Sequence, residues 1–142
     1  MRLSSLVRAV IGAALLVVPV AAHHSSTSYE MDKVIVLEGT VKQVVFLTPH
    51  SFFYVDVKDE KGHVVTWIAE SLSGARLKAQ GLQPTDLRPG ERIRLRCHPL
   101  VDGSPGCNLG WVTPLHGDMA RGHGTEKYLG RGEDPGDRSA PR

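Results

Sequence analysis

The sequence predicts a mainly β fold, a small five-stranded Greek-key barrel with one short helix between the third and fourth strands. Three observations carry that prediction. β-branched and aromatic residues recur with period two in five runs, and Gly, Pro and Asp clusters separate the runs. A single helix signal stands between the third and fourth runs. The first run is long and contains Gly39, at a spot where a barrel strand bends sharply or carries a bulge. A small β-sandwich is the alternative arrangement of the same strands.

The chain has 142 residues, 41% hydrophobic and 23% charged, a balance that fits one globular domain and argues against wholesale disorder. Residues 1–22 read as a secretory signal peptide and are set aside first. Arg2 and Arg8 form its basic start, and Val20-Ala21-Ala22 supplies small residues for cleavage. Its apolar run, Ala9 to Val20, contains Pro19 and falls short of the roughly 20 residues that span a bilayer. The mature chain then begins at His23 in a periplasmic or otherwise secreted setting, with no transmembrane segment left after processing.

A histidine-containing arm, residues 23–33, leads into the barrel domain, 34–116. Val34 to Leu47 is the first strand, with Ile35, Leu37, Val41 and Val45 assigned inward. Ser51 to Lys58 is the second, with Phe53, Val55 and Val57 on one side and Phe52, Tyr54 and Asp56 on the other. The turn Asp59-Glu60-Lys61-Gly62 returns it as the third, His63 to Glu70. Ser71 or Ser73 caps a short helix through Leu77 that stops at Gly81. Pro89-Gly90 turns the chain into the fourth strand, Glu91 to Cys97, and a loop at 102–106 leads to the fifth, in which Cys107, Leu109 and Trp111 face inward. With the helix between strands three and four, this order is that of the OB-like barrel. Residues 117–142 are rich in Gly, Arg, Asp, Glu and Pro and read as a disordered tail.

Seventeen Lys and Arg, less Arg2 and Arg8 of the signal, leave fifteen basic groups against fifteen acidic ones in the mature chain. No charge-driven partner is implied, and nucleic acid is not expected as a partner. Arg92, Arg94 and Arg96 alternate on one strand face and form a weak basic stripe.

Cys97 and Cys107 flank the hairpin of strands four and five, both on the inward face, and in an oxidising compartment they read as a disulfide. Use of Cys97, His98 and Cys107 as a thiolate metal site is the competing reading. The sharper signal lies in the histidines. Cleavage after Ala22 leaves His23 with an α-amine and an imidazole, a nitrogen pair suited to Cu(II). Cleavage after Ala21 leaves Ala22-His23-His24, whose amine, amides and third-position imidazole also chelate Cu(II). His50, in the loop that ends the first strand, is placed to join them, and His116 and Glu70 are further candidate ligands. His63, His98 and His123 are assigned to solvent. The competing view is that an exposed histidine pair binds metal only weakly.

Phe52, Tyr54 and Trp67 form a candidate aromatic surface for a small molecule or envelope polymer. No glycine-flanked serine elbow, paired-histidine zinc helix or phosphate-cradling loop is present, so binding is favoured over catalysis.

Several motifs carry a family resemblance. They are His23-His24-Ser25 after the signal, Leu37-Glu38-Gly39-Thr40-Val41, Thr48-Pro49-His50, Tyr54 to Lys58, Trp67 to Glu70, Leu87-Arg88-Pro89-Gly90 and Asp102-Gly103-Ser104-Pro105. In this order they resemble the domain of unknown function 6152, a family of small exported bacterial proteins, from about His23 to about Gly117. The resemblance implies a small β-rich exported domain and brings no activity with it. Ser26, Thr48 and the pair Cys97 and Cys107 depart from the family's pattern. A looser similarity is to periplasmic OB-fold proteins of bacteria. The sequence therefore reads as an exported ligand-binding domain, with Cu(II) at the processed terminus as its candidate ligand. A small-molecule or polymer binder is the alternative, and a copper-dependent oxidoreductase a third reading.

Overall fold

The computed structural model of the chain describes residues 28–131. The predicted signal peptide, His23, His24 and residues 132–142 of the predicted tail lie outside the described residues.

The predicted barrel forms and closes. β1 (Ile35–Val45) pairs antiparallel with β2 (Phe52–Lys58) and with β4 (Arg92–Pro99). β2 pairs with β3 (Val64–Glu70), and β4 with β5 (Gly106–Pro114). A parallel contact of β3 with β5, from Ile68↔Gly106 to Glu70↔Asn108, completes the ring and removes the open edges. The helix α1 (Gly74–Ala79) lies between β3 and β4, as the OB-like layout requires. Where β5 runs on past β3, a short β6 (Lys127–Tyr128) takes up its edge. Among the described residues no helix is long and apolar enough to cross a membrane.

β1 serves two neighbours because it bends. At Gly39 a side chain would meet the Asp56 carbonyl and lie 2.8 Å from Val55 Cγ1, so only glycine admits the close crossing of β2. The extra residue of the strand lies elsewhere, at Lys42, where the register steps from Val41↔Val55 to Gln43↔Tyr54. That step exchanges the faces beyond it: Val44, opposite Phe53, turns inward in place of the predicted Val45. A second bulge at Gly110 has the same effect on β5, since Arg96 pairs with Trp111 and Cys97 with Leu109. Trp111 therefore leaves the inward face to which the alternation assigned it. It is buried on the outside instead, under the Tyr128 ring at 5.2 Å and the Arg96 guanidinium at 4.3 Å.

The core is drawn from the predicted inward faces, with Phe53 and Val55 of β2, Ile93 and Leu95 of β4 and Leu109 of β5, and beyond the Gly110 bulge it takes Val112, which the alternation assigned to the opposite face. Leu77 of α1 joins it, a burial that contributes about 2 kcal/mol. Ser73 is the helix N-cap but makes no side-chain capping bond, and Ser71 directs its hydroxyl to the Leu129 carbonyl instead. Gly81, with φ of 80°, ends the helix as predicted. The disulfide Cys97–Cys107 is present, its Cα atoms 5.8 Å apart, and both residues are buried. It excludes the thiolate metal site.

Residues 118–131 do not form the predicted disordered tail. Asp118 accepts from the Ala120 amide and opens a 3-10 turn at Met119–Arg121, and Leu129 is fully buried with its amide on the Gly110 carbonyl at 2.7 Å. One apolar side chain and a few well-placed polar ones order a stretch whose composition alone argues against packing.

Candidate functional site

The sequence-predicted residues His50 and Glu70 meet at one rim of the barrel. Phe52 lies opposite Glu70 in the β2–β3 ladder, and just beyond it the Ser71 amide donates to the Ser51 carbonyl at 2.9 Å. His50 precedes β2 by two residues, so it shares the outward face of Phe52 and is the diagonal neighbour of Glu70. Its Nδ1 lies 2.5 Å from Glu70 Oε1, and the two side chains are only 16% and 24% exposed. Buried Ser51 holds the corner, its hydroxyl accepting from the Leu47 amide at 3.2 Å and its own amide donating to Leu72. The Thr48–Pro49 bond in this loop is cis.

Two residues that the sequence did not single out complete the cluster. Tyr29, in the arm, donates its hydroxyl to Glu70 Oε2 at 2.6 Å, and the arm is pinned nearby by the Tyr29↔Leu100 bridge. Burial, and then the hydrogen bond to Glu70, push the Tyr29 phenol well above the usual tyrosine range. Arg131 places Nη2 3.2 Å from His50 Nε2. A guanidinium can only donate, so Nε2 is the acceptor and the ring proton sits on Nδ1, facing Glu70. The rim is thus a relay in which one carboxylate takes donors from the arm and from His50, and His50 offers its second nitrogen outward.

His116 is not part of this site. It follows β5, eight residues beyond Asn108, which is the neighbour of Glu70; the run to Pro114 alone spans about 20 Å of strand. There it lies beside His123, ring centroids 6.1 Å apart. His116 Nδ1 accepts from the Asp118 amide at 3.1 Å and His123 Nδ1 from the Gly117 amide at 2.9 Å. Both neutral rings therefore carry their proton on Nε2 and turn no lone pair outward. The same corner holds a second network, in which Arg121 grips Glu91 at 2.6 Å and Asp118 at 2.9 Å. The hydrogen bonds from Arg121 hold both carboxyls below their usual range. His98 and His123, assigned to solvent by the sequence, are partly buried and bonded, His98 through Nδ1 to the Lys33 carbonyl at 2.9 Å. Among the described residues no three His, Cys, Asp or Glu groups converge to hold a metal ion.

The aromatic surface comes apart. Phe52 and Tyr54 share the outer face, whereas Trp67 pairs with Val55 and packs against the core. The period of two across the hairpin puts an odd-numbered Trp67 on the opposite face from even-numbered Phe52 and Tyr54. The arginine stripe is paired with carboxylates: Arg92 and Arg94 share Glu38 at 3.3 and 2.6 Å, and Arg96 lies 2.9 Å from Glu126.

Among curated proteins, none matches the chain. A solved structure similar to it is that of a mitochondrial single-stranded DNA binding protein from S. cerevisiae, with 9% identity and a TM-score of 0.45. The likeness covers 59% of this chain and 95% of that one. The expectation that excludes nucleic acid as a partner is corrected on this finding. A near-zero net charge counts side chains without placing them, and is no ground for excluding the class; a likeness this distant assigns no ligand either. Residues 12–108 match the model of a family of unknown function, DUF6152, and the chain belongs to that family.

Proposed function

We propose that this chain is an exported copper-binding protein, with Cu(II) held by the processed N-terminus (His23 with its α-amine, and His24) and by His50 Nε2. The observation that carries the proposal is the orientation of His50. Its Nδ1 is tied to Glu70, so the nitrogen that a metal would use faces away from the barrel. Glu70 serves behind His50 rather than as a ligand, because both of its oxygens already accept hydrogen bonds.

Chain length supports the assembly. Tyr29 reaches Glu70 with its hydroxyl, and His24 precedes Tyr29 by five residues, an extended reach of about 17 Å. Amine and imidazole nitrogens in a tetragonal set are the ligands that favour Cu(II) among divalent metals. Export is supported by the leader-like residues 1–22 and by the disulfide, which suits an oxidising compartment.

The test is a copper titration of the processed protein against a competing chelator, with electron paramagnetic resonance to count the nitrogen ligands. One tightly held Cu(II) per chain with nitrogen ligation is expected, weakened by about 10- to 100-fold in Glu70→Gln, which removes the partner behind the ligand, and by more in His50→Ala. Loose, non-stoichiometric copper whose spectrum is the same in His50→Ala would overturn the proposal.

A further inference from the structure

We infer that the turn joining β5 to β6 is an acid-sensitive clasp, held closed by the neutral rings of His116 and His123 and released when they take up protons. Each half-buried ring serves the turn as a hydrogen-bond acceptor. The Asp118 amide donates to His116 Nδ1 and the Gly117 amide to His123 Nδ1, so two successive backbone N–H groups are capped by two imidazoles. A protonated imidazole has no lone pair at either nitrogen and can only donate. Proton uptake at Nδ1 therefore sets N–H against N–H at both caps, and both amides lose their partners.

His116 has no way to absorb that change in place. Its Nε2 is enclosed and has no hydrogen-bond partner among the described residues. The neutral ring leaves one donor unsatisfied there, and the charged ring would leave two, a cost that turning out to water relieves. The centroids of the two rings are 6.1 Å apart, so charging both adds repulsion.

The charged groups around the rings leave the switch to the histidines. Asp118 and Arg121 belong to the turn itself, and Glu91 faces His116 from the segment that leads into β4. Glu91 attracts a charged His116 and would by itself oppose release. Both of its oxygens are already taken by Arg121, at 2.6 and 3.1 Å, and the same guanidinium holds Asp118 at 2.9 Å. Those hydrogen bonds keep both carboxyls below their usual range, so they stay ionised and paired in the interval between about pH 5 and 8 where imidazoles titrate. Arg92, whose carbonyl accepts from the Leu115 amide, directs its side chain to Glu38 instead. The stability that the two caps contribute is thus present while the rings are neutral and is lost as acid charges them.

What the clasp holds is β6. The turn closes through the His123 amide on the Asp118 carbonyl and the Gly124 amide on the Pro114 carbonyl. Beyond it β6 has only the ladder pairs Trp111↔Tyr128 and Val112↔Lys127, with which it lays Tyr128 over Trp111. Opening the turn leaves so short a strand without its connection to β5.

The experiment is amide hydrogen exchange by NMR on the full chain at pH 7.5 and 5, expressed as protection factors so that the intrinsic pH dependence of exchange drops out, together with the ring 15N spectra of His116 and His123. The wild type is compared with the double variant His116→Asn, His123→Asn, in which Asn offers an acceptor oxygen that does not titrate. In the wild type, protection of the Gly117, Asp118 and Gly124 amides should fall about tenfold between the two pH values as the rings become charged, the loss expected for a pair of hydrogen bonds. Leu95, in the barrel core, should keep its protection, and the double variant should show no fall. Rings that become charged while the three amides stay protected would overturn the inference on the wild type alone. A fall that Leu95 shares equally would overturn it as global unfolding. An equal fall in the double variant would overturn it by placing the titration on the carboxylates.

Discussion

Replacing Glu70 with Gln keeps the size of the side chain and removes its charge, and so isolates what the carboxylate does at the rim. In the folded protein its two oxygens accept from Tyr29 Oη at 2.6 Å and from His50 Nδ1 at 2.5 Å. A hydrogen bond to a charged group contributes about 1.5–3 kcal/mol and a neutral one about 0.5–1.5, so each of the two bonds loses about 1 kcal/mol. Partial exposure of both side chains reduces the sum, and a destabilisation of about 1–2 kcal/mol is expected. Urea denaturation at neutral pH reads it directly: with a slope of about 1–3 kcal/mol/M, the midpoint should fall by about 0.5–1 M with the slope unchanged. The same variant should alter the 15N signature of His50, because the amide no longer demands a proton on Nδ1. A midpoint within about 0.1 M of the wild type, together with an unaltered His50 spectrum, would refute the reasoning that an ionised Glu70 orients this ring.

Two further outcomes follow from the same structure. Cys97 and Cys107, ten residues apart in sequence, close a short loop, so replacing both with Ala should cost about 2.7 kcal/mol by the chain-entropy relation. Denaturation with and without reductant checks it, and a wild type indifferent to reductant would contradict it. The raised pKa of Tyr29 implies a stabilising contribution fully present below about pH 10 and lost as pH rises through the higher folded value. Tyr29→Phe should therefore flatten the alkaline side of the melting-temperature profile relative to the wild type; parallel profiles from pH 9 to 12 would show the phenol is not held as described.

Much of the fold was legible because period two and turn chemistry are local. The alternation around Phe53, Val55, Ile93 and Leu95 marked the inward face, and Gly81 marked the end of the helix. What failed were the places where one inserted residue changes every residue after it. The bulges at Lys42 and Gly110 exchanged Val45 for Val44 and sent Trp111 outside, and no local pattern announces a bulge that sits three residues from the glycine suspected of it. At the site, His50 and Glu70 were legible as residue types on facing strand ends. Tyr29 and Arg131 were not, since each reaches the rim from a segment whose composition suggests disorder. The apolar pair Tyr128 and Leu129 within a charged stretch was the available signal, and it is the buried Leu129 that brings Arg131 to His50.

The central claim, that the processed terminus and the barrel rim together hold one copper ion, is tested most directly by native mass spectrometry of the exported protein with one equivalent of Cu(II) and a competing chelator. A single spectrum reports the first residue, the oxidation state of Cys97 and Cys107, and the metal count. The account predicts a chain that begins at His23 or Ala22, carries the disulfide and retains one copper, and a His50→Ala chain that gives it up to the chelator. A chain that begins beyond His24, or one from which the chelator strips all copper, would contradict it.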